Sequence, residues 1–245
     1  MEKIIEKLDN FLSRNDYESA KNHLLNWLSV CTEQNDLKSA LALSNELMGL
    51  FRKLGDRENA LKYMQNALDI TQKLNISENV GAATTYLNSA TVYKAFSMAE
   101  KSLPLFEKAR KIYEKNLNKT DDRLGGLYNN MALTLVDLEQ FDRADELFKR
   151  AIDIMSGIEN KEGEVAITYL NMASATEKKL GLEKGEKQIS AFIEKAWQLL
   201  DSCPDKESGN YAFVCEKCAT VFGYYGYFVY ENELKKRSDS IYERA

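Results

Sequence analysis

Histidine is almost missing from this chain of 245 residues: His23 stands alone. That excludes most hydrolase triads, imidazole proton shuttles and histidine-rich metal sites. Proline, with 2 residues, and glycine, with 12, fall below ordinary usage, and a chain with so few breakers reads as helical. Cysteine is also scarce, at 4 residues, three of them between Cys203 and Cys218. Such a set makes no disulfide scaffold, so a reduced, cytoplasmic setting is expected. Basic residues number 33 against 38 acidic ones, a net charge of -5, so nucleic acid is not an expected partner. The opening residues Met1 to Lys7 carry acids where a secretory leader needs an apolar core. The longest uncharged aromatic-rich stretch, Cys218 to Tyr230, is shorter than the about 20 residues that cross a bilayer. Neither export nor a membrane partner is expected.

What is present is a repeat. Tyr128-Asn129-Asn130-Met131-Ala132 recurs as Tyr86-Leu87-Asn88-Ser89-Ala90 and as Tyr169-Leu170-Asn171-Met172-Ala173, about 42 residues apart. Downstream, Ala144, Phe148 and Ala151 repeat the small-large-small spacing of Ala20, Leu24 and Trp27, of Ala60, Met64 and Ala67, and of Ser102, Phe106 and Ala109. Both segments have helical periodicity: Tyr128, Met131, Ala132, Leu135 and Leu138 share one stripe, and Ala144, Leu147, Phe148, Ala151 and Ile154 another. Polar turn-rich stretches separate the units at Glu33 to Asp36, Asn75 to Asn79, Asn118 to Asp122, Glu159 to Gly163 and Asp205 to Gly209.

This pattern resembles the tetratricopeptide repeat, and the long period resembles its kinesin-light-chain-like subclass. The resemblance implies an all-α superhelix, a solenoid of about six helix-turn-helix units in one repeat domain over 1–245. Units are placed near residues 1, 41, 83, 125, 166 and 212, the last an atypical aromatic-rich cap. Three departures stand out: extra residues at Gly181 to Lys187, read as a turn; Pro104 early in a second helix, where a first turn would tolerate it; and Glu231 in an alanine slot.

At 100° per residue, Asn88, Asn130 and Asn171 each lie roughly 200° from the core tyrosine of their unit. In the family the first helices line the groove, and asparagines in this slot form a ladder on the backbone of an extended peptide. An amide suits that task because it both donates to a carbonyl and accepts from an N–H. Glu6, Glu46 and Lys217 hold the slot in the other units. The same wheel sets Thr84, Thr91, Gly126, Leu133, Ile167 and Ser174 beside the amides, with Lys94, Asp137 and Lys178 near the rims. Leu133 and Ile167 are expected to be exposed and to receive an apolar ligand side chain. Arg52, Lys53 and Lys94 are candidates for a basic edge on the amino-terminal half.

Cys215-x-x-Cys218 has neither a second pair nor a histidine to complete a zinc site, and on the repeat register both thiols fall in core slots. No metal, no cofactor and no enzymatic activity are expected. The crowd of Tyr211, Phe213, Phe222, Tyr224, Tyr225, Tyr227, Phe228 and Tyr230 exceeds what one helix pair ordinarily buries. It marks either terminal core or a surface, with Tyr211, Tyr224, Tyr225, Tyr227 and Tyr230 as a candidate homodimer interface. The expected function is a non-enzymatic scaffold or adaptor that binds a protein or peptide in the groove. Alternatives are a sensor of a short signalling peptide, similar to the helical-repeat receptors of bacterial quorum sensing, and a dimerisation module.

Overall fold

A computed structural model describes residues 1–244, which hold twelve α-helices and no strand. They are α1 (Glu2–Ser13), α2 (Tyr17–Glu33), α3 (Leu37–Lys53), α4 (Arg57–Lys73), α5 (Val80–Ala95), α6 (Ala99–Asn116), α7 (Asp122–Asp137), α8 (Phe141–Met155), α9 (Glu162–Leu180), α10 (Leu182–Ser202), α11 (Gly209–Tyr224) and α12 (Phe228–Tyr242). Consecutive helices pair, α1 with α2 through α11 with α12, giving six helix-turn-helix units. Most units begin about one turn before the apolar stripe does. That first turn is spent on capping: Asp36 accepts from the Ser39 amide, Asn79 from Ala82 and Ser208 from Tyr211.

Local chemistry makes the turns. Asn15, Asn35 and Gly55 adopt positive φ (55°, 55° and 72°), which reverses the chain where asparagine and glycine tolerate it. Each is followed by an aspartate, Asp16, Asp36 or Asp56, whose carboxylate accepts from the amide three residues on and caps the next helix. Gly181, at φ 79°, makes the whole reversal between α9 and α10. Leu182 to Lys187 is therefore helix rather than turn, and the extra residues lengthen α10 to 21 residues. Pro104 lies in the second turn of α6, not the first, and supplies no N–H to the Glu100 carbonyl.

The chain divides into two compact units, Met1–Leu117 and Asn118–Ala245. In the first, α3 packs on α4 and α5, and Ala20, Ala60, Ala67 and Ala109 are fully buried beside Leu24, Met64 and Phe106. Trp27 departs from the expected pattern. It is 39% exposed, because an indole does not enter a slot that the other units fill with alanine. In the second unit α7 packs on α9 and α9 on α11, so the first helices of successive pairs lie side by side. Tyr128, Met131, Ala132, Leu135, Phe148, Ile193 and Phe222 fill the space between them and their partners. Near their amino termini α9 and α11 approach so closely that a Cβ on Gly163 would lie 3.1 Å from both Val214 methyls.

Glu231, the acid in an alanine slot, has a structural counterpart. It crosses directly over Gly223 of α11, where any Cβ would collide with its carboxylate, and it pairs with Lys235 at 2.6 Å. The small residue has moved to the opposite helix.

Candidate functional site

In the Met1–Leu117 unit, the open side of the first helices carries Asn45, Glu46, Asn88, Thr91 and Lys94. Asn88 Nδ2 donates to Asn45 Oδ1 at 3.1 Å, and Asn45 Nδ2 donates to Thr85 Oγ1 at 3.1 Å, so α3 and α5 are laced together by amides. Thr84 Oγ1 meets the Tyr113 hydroxyl at 2.7 Å, and Thr91 Oγ1 donates to the Asn88 carbonyl. Crowding by protein atoms, and then the Asp9 carboxylate, push the Glu46 pKa up; the same desolvation lowers that of Arg52. Lys94 is half-buried.

The same device recurs in the Asn118–Ala245 unit. Asn171 Nδ2 donates to Asn129 Oδ1 at 3.0 Å, and Asn130 Nδ2 donates to its own Gly126 carbonyl at 2.9 Å. Each slot amide thus spends one N–H on the protein and keeps one N–H and its oxygen. The lateral bond fixes the orientation of those remaining groups. Lys178 pairs with Asp137 at 3.3 Å, joining the rims of α9 and α7. Leu133 and Ile167 are half-buried rather than exposed, since neighbouring helices cover one side of each; Ile167 packs against the core. Ser174 is exposed.

On α11 the spacing of the slot continues through Phe213, Lys217, Thr220 and Tyr224, of which Phe213 is 49% and Tyr224 67% exposed. The sequence reading reached Lys217 but missed Phe213 and Thr220 as members of this face, and it missed Asn45 and Asn129 as amide acceptors. Extending the wheel from Lys217 was the available signal for the first two. Asn45 and Asn129 share the position just before the slot in their units, but their role depends on a helix about forty residues away.

The terminal aromatics divide between core and surface: Tyr211 and Phe222 are buried, Tyr225, Tyr227 and Tyr230 half-buried, and Phe213, Tyr224 and Phe228 exposed. Trp197 and Tyr230 stack at 4.0 Å, Phe222 meets Trp197, Tyr227 and Tyr230 edge-on, and Tyr227 stacks on Tyr230. Tyr211 is buried, donates to the Leu200 carbonyl and accepts from Arg237, so it does not lie at a surface. Tyr224 and Tyr225 both donate to Glu177, at 2.6 and 2.7 Å. Of the proposed interface set, Tyr224 alone is largely exposed.

All four cysteines are free and buried. Burial pushes Cys215 up to about 11 and Cys218 up to about 12. Such thiols are protonated at neutral pH and poor nucleophiles, so an aromatic disulfide reagent at pH 8 is expected to label none of the cysteines until denaturant is added. Full labelling of Cys215 in the folded chain would contradict this. Because these acids ionise first in the unfolded chain, stability is intact below the ordinary thiol value of 9.0 and declines as pH rises from there through about 11 and 12. His23, half-buried, sits 3.0 Å from the Ile4 carbonyl and edge-on to Phe11. Among the described residues no group of three or more histidine, cysteine or carboxylate side chains could hold a metal, and no helix is long and apolar enough to cross a membrane.

A family model described as "Tetratricopeptide repeat" matches residues 38–115, and a second with the same description matches residues 125–155. No curated protein matches the chain in sequence. Among solved structures, the chain is similar to BtubC (BKLC) from P. vanneervenii, at 19% identity over 81% of this chain and 78% of that one, with a TM-score of 0.68. It is similar to a putative kinesin light chain with nearly identical TPR-like repeats from Podosopora anserina, at 16% identity over 82% and 94%, TM-score 0.57. It is also similar to a Rap protein complexed with competence and sporulation factor, at 12% identity over 98% and 63%, TM-score 0.64. At such identities the likeness establishes a shared fold.

Proposed function

We propose that this chain, whose residues 38–115 and 125–155 match tetratricopeptide-repeat models, works without catalysis, as a scaffold holding an extended protein or peptide segment on the open faces of its first helices. The observation that carries this reading is the amide arrangement: Asn88 and Asn171 are each held by an asparagine of the preceding first helix, with one N–H and the oxygen left over. Those groups match the backbone of an extended ligand irrespective of its side chains. Because the lateral bonds already order the amides, binding loses less side-chain entropy, a saving of about 0.5–1.5 kcal/mol for each residue held in place. Amide bonds alone are weak, at about 1 kcal/mol net each. Side-chain contacts supply the rest, and in the Asn118–Ala245 unit Leu133, Ile167, Phe213 and Tyr224 offer apolar surface around Asn130, Asn171 and Lys217.

A second reading is a receptor for a short signalling peptide. It is favoured by the similarity over 98% of this chain to a Rap protein complexed with competence and sporulation factor. For the dimerisation reading, Tyr211 is buried and Tyr227 and Tyr230 pack in the terminal ring cluster, while Tyr224 and Phe228 remain exposed.

The test is affinity capture compared between the wild-type chain and an Asn88→Ala, Asn130→Ala, Asn171→Ala variant with an unchanged circular dichroism spectrum. The expected result is a protein or peptide held by the first and lost by the second, with hydrogen-exchange protection by that ligand on α5, α7 or α9. Identical ligands on both chains would end the reading. A monomer at all concentrations in sedimentation would end the dimer alternative.

A further inference from the structure

At the far end of the Asn118–Ala245 unit, a cavity of about 360 Å³ is lined by Lys206, Tyr211, Lys236, Arg237, Ser240, Ile241 and Arg244. Four of these side chains are cationic and none is acidic, in a chain whose net charge is -5. The cations come from different places: Lys206 from the loop after α10, the other three from α12 and the residues just beyond it. Three of the four have acidic partners, which are not among the lining residues and are themselves partly or largely exposed. Asp201 and Glu233 hold Arg237 at 2.9 Å each, Asp201 is 3.9 Å from Lys206, and Glu207 is 3.5 Å from Arg244.

Arg237 is positioned rather than mobile. Its three nitrogens reach Glu233, Tyr211 and Asp201 one each, leaving two of the five guanidinium N–H groups unspent. Its side chain is 19% exposed and lies over the Trp197 ring. Lys206 and Arg244 have only long ion pairs. The hydroxyl of Ser240 accepts from Arg244 at 3.2 Å.

We propose that this cavity is an anion site, and that its ligand is a phosphate monoester. One guanidinium fork satisfies a planar carboxylate. Four cations converging from a loop and a helix match a group with nearly two negative charges and three acceptor oxygens. The volume accommodates a phosphoryl group with a small body attached. That chemistry belongs equally to a free phosphate ester and to a phosphorylated serine of a partner protein. The site is separate from the amide faces of the first helices and does not depend on what they bind.

The experiment titrates the full chain, at fixed ionic strength, with O-phosphoserine, with a short phosphoserine peptide, with its unphosphorylated counterpart and with chloride. Amide shifts of Tyr211, Ser240 and Ile241 are the readout. The expected result is saturable shifts with a phosphorylated probe and none with the other two. Saturation by O-phosphoserine identifies a small ester as sufficient; saturation by the peptide alone identifies a phosphorylated partner. A Lys206→Gln, Lys236→Gln variant, which leaves Arg237 and its contacts in place, is expected to weaken binding about tenfold, corresponding to two screened charge interactions of roughly 0.7 kcal/mol each. Equal binding by that variant at unchanged melting temperature, equal shifts with chloride, or no saturable shift with either phosphorylated probe would overturn the proposal.

Discussion

Replacing Phe222 with alanine is expected to destabilise the Asn118–Ala245 unit by about 3–5 kcal/mol, the range for emptying a phenylalanine site in a packed core. Phe222 is fully buried on α11 and meets three other rings edge-on: Trp197 at 6.2 Å, Tyr227 at 6.5 Å and Tyr230 at 5.7 Å. Those pairs bring α10, α11 and α12 together, so the loss is concentrated in the last helix pair. In a repeat array each pair contacts only its neighbours, and local damage propagates weakly. Hydrogen exchange should therefore show α11 and α12 losing protection while α7 and α8 retain theirs. Phe213→Ala is the control. That ring is 49% exposed on the same helix, and its removal should leave the urea midpoint nearly unchanged. If Phe222→Ala and Phe213→Ala cost the same, the aromatic cluster is not the core of this end.

Arg237→Ala is the second large effect, expected at about 2–3 kcal/mol. Its ion pairs contribute little to that figure, because Asp201 and Glu233 are 55% and 45% exposed and water screens them. The larger part comes from two other contacts. Arg237 donates to the buried Tyr211 hydroxyl at 2.9 Å and lies 5.2 Å from the centre of the Trp197 ring. Without it the hydroxyl keeps only its bond to the Leu200 carbonyl, and one face of the indole loses its cation. Arg237→Lys restores the charge but not the fork. It is expected to recover less than half the loss in a thermal melt. Full recovery would mean that charge alone matters at this position.

The amide pairs show why the site was only partly legible. Asn88, Asn130 and Asn171 stand out because they recur in register with a core tyrosine, a signal carried within one helix. Their acceptors, Asn45 and Asn129, share the position just before the slot in alternate units, but their pairing becomes visible only when α3 lies against α5 and α7 against α9. Leu133 and Ile167 illustrate the converse. A wheel turns them away from the core, yet neighbouring helices half-bury them. Glu231 reads as a breach of the small-residue pattern until Gly223 is found beneath it.

The sequence by itself determined the helical class, the six pairs, the separating stretches between them and most of the buried stripe. Those features follow from periodicity, capping and breaker residues acting over a few positions of chain. Tertiary structure alone decided which amides are held, that Trp27 is excluded from its slot, that Tyr227 and Tyr230 pack with Trp197 and Phe222 while Tyr224 and Tyr225 bond Glu177, and that Lys206, Lys236, Arg237 and Arg244 share one cavity. The reason is one of range. A helix is specified by neighbours three and four residues apart, whereas a hydrogen bond, a ring stack or a charged cavity depends on side chains that only packing brings within a few ångströms.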